Sequence, residues 1–303
     1  MGVVVAPTVL LAIPSQVLWS YGVFSAILAI GVAVIFLRGD WQRARGSDKL
    51  ILLGPLLYAA PVAAFGTEHF TITGVIASIV PKWMPWHYFW AYFVGACFLA
   101  AGLSLATRVQ LRLSTSLLAL TFFLFVILMD VPVWARNPRD RFGFTFVLRE
   151  LSFSAGPLAL AASLSSKWQQ LGTNVARYFL AIAVLFFSLE QFLHGDHVPG
   201  IPLEPLTPSY VYGHALWTYV AAAVYAVAGI LLLIDRKTRA AATWVGLAVL
   251  LVEVVVYVPF AVVERGNFDG FNYLADTLMF GGAVLMLAGA MPRGKARNLT
   301  TEV

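Results

Sequence analysis

The sequence predicts an all-α fold: a polytopic membrane bundle of about nine transmembrane helices, built as two parallel four-helix repeats plus an extra N-terminal helix. Three observations predict it. Of the 303 residues, 60% are hydrophobic and only 12% charged, about half the charged share of a soluble domain. Apolar windows of about 20 residues recur along the whole chain, the length needed to cross a bilayer. Finally, His87-Tyr-Phe-Trp90-Ala-Tyr92 returns as His214-Ala-Leu-Trp217-Thr-Tyr219 at an offset of 127 (214 − 87), and a fixed offset is the mark of a duplicated unit.

Pro14 divides an uncharged start, so residues 17–37 form the first spanning helix and 1–13 an outer, interfacial lead-in. Arg38, Arg43, Arg45 and Lys49 mark a basic loop. Helix 2 covers 50–70 and ends at Glu68-His69-Phe70; the loop after it closes with Pro81-Lys-Trp83-Met-Pro85. Helix 3 (87–107) and helix 4 (113–134) flank a short turn holding Arg108 and Arg112. A polar loop with Arg136, Arg139 and Arg141 leads into helix 5 (144–165), expected to kink at Gly156-Pro157 because proline removes a backbone donor. Helix 6 (175–194) precedes the longest loop, 195–209. Helices 7 (211–234), 8 (239–262) and 9 (270–290) follow, then a short basic tail.

The offset divides the chain. Residues 1–49 are an N-terminal helix and basic loop, 50–170 the first repeat, 171–293 the second, and 294–303 the tail. The 127-residue offset also carries Val131-Pro132 onto Val258-Pro259 and Arg149 onto Asp276. Upstream it falls to 122, where Glu68 matches Glu190. An even number of helices per unit returns the chain to its starting side, so the repeats are parallel rather than inverted.

Lys82, Arg136, Arg139, Arg141, Arg149 and Arg265 lie on one side of this topology, and the remaining 14 of the 20 Lys and Arg on the side of the tail. Basic loops stay in the cytoplasm. The chain is therefore expected in the cell (inner) membrane, with its N-terminus outside and C-terminus inside. The net charge of +5 is spread over short loops and gives no nucleic-acid signal. The expected partners are the bilayer, a small lipophilic ligand and a protein partner.

Charges inside spanning helices are costly and usually face an interior or a wet cavity. Glu68, Glu190 and Glu253 are such residues. With His69, His87, Trp90, His214 and Trp217 they form the candidate ligand-binding set, in the outer half. Glu68 is expected near His87 and Glu190 near His214, as acid–base or ligand-orienting pairs; the plainer account of the His and Trp residues is an interfacial aromatic belt. Arg149 and Asp276 are expected to form an ion pair between the repeats. His194, Asp196 and His197 have metal-ligand chemistry, but no fourth ligand is evident and no metal is assigned. The single cysteine, Cys97, permits no internal disulfide.

The run Gly66-Thr-Glu68-His69-Phe70, then Val80-Pro81-Lys-Trp83-Met-Pro85, then Tyr92-Phe-Val-Gly95 with Gly102-Leu103, resembles the first half of the DoxX-like family of bacterial integral membrane proteins. That family has a Gly-rich first signature, a Pro-rich loop and a Gly-rich third helix. The resemblance implies a small four-helix unit, here duplicated in tandem, and for some relatives a redox role with quinone as the cofactor. The family's acidic residue in the third helix is missing from the stretch Ala96 to Ala101, so no catalytic residue carries over. Three function classes stay open: a binder, redox-linked or not, of a quinone-like or lipid molecule; a transporter or channel for a small solute or proton; and an assembly subunit without chemistry of its own.

Overall fold

The computed structural model describes residues 13–201 and 213–293, apart from the His214 side chain. The proposed lead-in, most of the loop from 202 to 212 and the basic tail from 294 lie outside the described residues. Nine long helices are present among those described: α1 (Ser15–Leu37), α2 (Asp48–Thr71), α3 (His87–Thr107), α4 (Leu111–Trp134), α5 (Arg141–Ser163), α6 (Gln169–Leu193), α7 (His214–Leu233), α8 (Thr238–Val263) and α9 (Phe268–Ala290). Eight are long and apolar enough to cross a membrane, which makes this a multi-pass helical membrane protein. The exception is α5, which carries Arg149, Glu150 and the hydroxyls of Thr145, Ser152 and Ser154.

The expected loop after helix 2 contains a further helical segment, Thr73–Ile79, and the basic loop holds a helical turn, Asp40–Arg43. Helix 6 begins six residues earlier than its apolar pattern suggests, at Gln169 rather than 175. Its first turn is polar because it lies at the bundle's end. Pro157 sits inside an unbroken α5, as Pro55 and Pro61 do inside α2.

Helices α2, α9, α5 and α6 form an inner row in that order, with α3 and α1 against α2, α4 against α5, α7 against α6, and α8 against α9. The inner row is lined by small side chains: Ala59, Ala60, Ala63, Ala155, Ala183 and Ala283 are fully buried. Small residues let helix backbones approach closely, the main source of packing energy where water cannot drive association. A Cβ on Gly282 would lie 2.7 Å from the Tyr58 backbone nitrogen, and one on Gly156 would lie 2.5 Å from Ala283 Cα. Only glycine permits these contacts.

Helices α4 and α8 each contain one π-helical turn, Val126–Asp130 and Glu253–Tyr257, again 127 residues apart (253 − 126). Each precedes Val-Pro, at 131–132 and 258–259. Proline has no N–H to close the ordinary bond to the fourth preceding carbonyl, and the helix widens there. The two turns leave Asp130 and Glu253 at positions where π-turns often serve function.

Candidate functional site

A cavity of about 510 Å³ lies in the half of the bundle remote from the C-terminus. Its walls are Phe65, Phe93, Phe98, Phe122, Phe125 and Phe153, with Trp90. The rings of Phe98 and Phe122 stack at 5.2 Å, and Phe153 meets Phe122 edge-on at 5.7 Å. Phe93, Cys97 and Leu124 line the cavity and are also exposed on the outer faces of α3 and α4. The cavity therefore reaches the lipid-facing surface between those helices. The Thr73–Ile79 helix and the following Val80, Pro81 and Met84 cover its end.

The floor is polar. Arg149 Nη1 donates to Asp276 Oδ2 at 2.8 Å and Nη2 to Glu150 Oε1 at 2.9 Å. The guanidinium also lies 4.6 Å from the Phe146 ring, within cation–π range. Glu68, His69, Asp130 and Asn272 complete the floor. The His69 Nδ1–H donates to the Phe65 carbonyl at 2.8 Å, which fixes the tautomer and leaves Nε2 as an acceptor. Several polar atoms here are buried without a protein partner: Glu68 Oε1, Asp130 Oδ2, Glu150 Oε2, Asn272 Oδ1, Arg149 Nε and Trp90 Nε1. Each such atom costs about 1–3 kcal/mol of desolvation when unpaired. Six belong to residues that line one cavity, and buried polar groups of this kind ordinarily have a protein, water or ion partner.

The residues singled out from sequence separate in space. Glu68, His69 and Trp90 line this cavity together with both members of the Arg149–Asp276 pair. His87 does not join them: it makes no hydrogen bond to Glu68, and its Nε2 is buried without a partner. Glu68 instead precedes His69, whose ring meets Phe98 at 5.5 Å. Glu190 lies in a different, smaller pocket of about 360 Å³ with Arg141, His194 and His197. There Arg141 donates to its Oε1, and His194 Nε2 is 3.8 Å from Oε2. His194, Asp196 and His197 offer ligand atoms within 4.8 Å of one another. Trp217 is half-buried near the start of α7, and the His214 side chain lies outside the described ones. Glu253 is 4% exposed, with neither carboxylate oxygen partnered, and lines neither pocket.

Sequence reading did not assemble the aromatic wall or place Asp130 and Asn272 at the site. Asp130 did carry a signal, as a carboxylate in an apolar run two residues before Pro132. The residues 127 positions further on are of another kind. Tyr257 stands 127 residues after Asp130 (257 − 130), is buried, and donates its hydroxyl to the Pro199 carbonyl at 2.8 Å. Tyr225 stands at the same offset from Phe98 (225 − 98) and is also buried.

No family model, curated protein or solved structure matches this chain.

Proposed function

We propose that this protein binds a small lipophilic molecule with a polar head, taken laterally from the bilayer through the gap between α3 and α4. One observation carries the reading: an aromatic cavity that opens on the lipid-facing surface and ends in buried, unpartnered polar atoms. Apolar walls with a few convergent polar groups are the common form of a small-molecule site. The volume suits a ring-bearing or short-chain amphiphile of the quinone or lipid class. A through-channel is less well supported, because α2 and α9 are in backbone contact at Gly54 and Gly282 beyond the cavity.

The same reading includes a tandem duplication with two parallel units, α2–α5 and α6–α9. The starts of α3, α4 and α5, the π-turn and the Val-Pro pair recur in α7, α8 and α9 at an offset of 127 (214 − 87). Equivalent residues meet each other, Arg149 with Asp276 and Gly156 with Ala283, as residues beside a twofold axis must. One unit then keeps an open cavity while the other is filled by Tyr225 and Tyr257. Kinship with the DoxX-like family belongs to this proposal too: the motif glycines Gly66, Gly95 and Gly102 make the close contacts between α2 and α3. The basic loops would place the C-terminus in the cytoplasm and the cavity in the outer half.

Native mass spectrometry of the protein released from lipid nanodiscs tests the proposal. A retained small molecule, absent after Asp130→Tyr, is expected. Bare protein from every lipid extract tried would refute it.

A further inference from the structure

Which head group the cavity takes can be read from its floor, granted the binding site proposed above. Four carboxyl groups, Glu68, Asp130, Glu150 and Asp276, line the cavity with a single guanidinium, Arg149. That guanidinium is already engaged by two of them. Glu68 lines the cavity and is 5% exposed, and its Oε1 is buried without a partner. Asp130, Glu150 and Asn272 add three more unpartnered acceptor oxygens, against two unpartnered N–H groups on Arg149 and Trp90. His69 Nε2 is a further acceptor, since Nδ1 holds the proton.

An uncharged quinone brings two carbonyl oxygens, which are acceptors. Its carbonyls can accept from the two N–H groups, but the carboxyl oxygens are left without donors. A cation answers the excess of acid directly, and the walls favour it as well: phenyl and indole faces attract positive charge, and aromatic cages are the usual receptors of alkylated ammonium groups. The wall already holds one cation in this way, with the Arg149 guanidinium 5.9 Å from the Phe153 ring.

We propose that the ligand of this cavity is a lipophilic cation, with an alkylated or protonated amine seated between Glu68 and Asp130 and its apolar part against Phe98, Phe122 and Phe125. The aromatic slot between α3 and α4 admits the body from the bilayer. The carboxylates hold the charged head.

The test uses full-length protein in nanodiscs, with a tritiated benzyl-dodecyl-dimethylammonium ion and its uncharged all-carbon isostere, each corrected for uptake by empty nanodiscs. The ammonium compound should bind at least tenfold more tightly than the isostere. Glu68→Gln with Asp130→Asn should collapse that ratio to near one while leaving isostere binding in place. Because the probe's charge is fixed, pH acts only on the protein. The groups facing the head are Glu68 and His69 from α2, Asp130 from α4, Arg149 and Glu150 from α5, and Asp276 from α9. Negative charge on the floor can only grow as pH rises, so ammonium affinity should not fall from acid to alkaline pH. Equal affinity for both compounds, or affinity that climbs as pH falls, overturns the charged head but leaves a lipophilic site. Binding of neither compound overturns the site itself.

Discussion

Arg149 on α5 and Asp276 on α9, 127 residues apart in sequence, touch, Nη1 to Oδ2, at 2.8 Å. Their side chains are 19% and 11% exposed, so the pair sits largely out of water. Removing one partner from such a pair leaves a charge uncompensated, at a cost of about 3–5 kcal/mol. Arg149→Ala should therefore lower the melting temperature in detergent by several degrees. Arg149→Asp combined with Asp276→Arg should regain part of the loss, although Glu150, the second acceptor of Arg149, keeps the recovery incomplete. If the double exchange is no better than the two single changes added together, the contact does not join the halves.

The contact of Gly156 with Ala283 gives a second test near the same place. A methyl group at Gly156 would meet backbone at 2.5 Å, whereas one at Gly22 would meet nothing within 4 Å. Gly156→Ala should destabilise the bundle by about 1–3 kcal/mol through overpacking. Gly22→Ala should be neutral or slightly stabilising, since alanine favours helix. Thermal unfolding of the two variants side by side decides the matter, and equal melting temperatures would refute the close approach of α5 to α9.

Asp130 lines the cavity, whereas Tyr257, 127 residues later (257 − 130), is buried with its hydroxyl on the Pro199 carbonyl. Asp130→Tyr should block the cavity while retaining the fold, read as lost ligand retention with an unchanged melting temperature. Unchanged retention would mean that the ligand lies elsewhere.

Outside the spanning helices, Asp40 offers a pH prediction. Burial raises its carboxyl, but the hydrogen bond from Arg43 and the charges of Arg108, Arg43 and Arg38 outweigh it and leave the group below its ordinary value. A depressed folded-state value stabilises the fold above the ordinary carboxylate range, and that contribution is lost as pH falls through the lowered value. Asp40→Asn should thus cost stability at pH 7 and nothing once the wild-type carboxyl is protonated. A cost that is the same at pH 7 and at low pH would contradict this.

The helices were legible because apolar length and period are local properties. The predicted α1 and α9 lie within two residues of the observed helices. The eventual neighbours of Glu68 were not legible. Its partner was sought at His87, which follows it closely in sequence and opens the next helix, yet the floor is completed by Asp130, Glu150 and Asp276 from three other helices. The aromatic wall was hidden for a similar reason: Phe98, Phe122 and Phe153 are unremarkable in apolar runs and become a cavity only when α3, α4 and α5 converge. Proline was informative in two places: Pro132 and Pro259 each follow a π-turn, while Pro157 lies inside the continuous α5.

Cys97 provides the most direct measurement of the central claim, because it lines the cavity and also faces lipid. In nanodiscs, a lipophilic maleimide should alkylate Cys97 faster than a charged, membrane-impermeant one. The adduct should abolish retention of the small molecule in native mass spectra, and Cys97→Ala should protect retention from the reagent. Complete alkylation of Cys97 with retention undiminished would contradict a lateral binding cavity between α3 and α4.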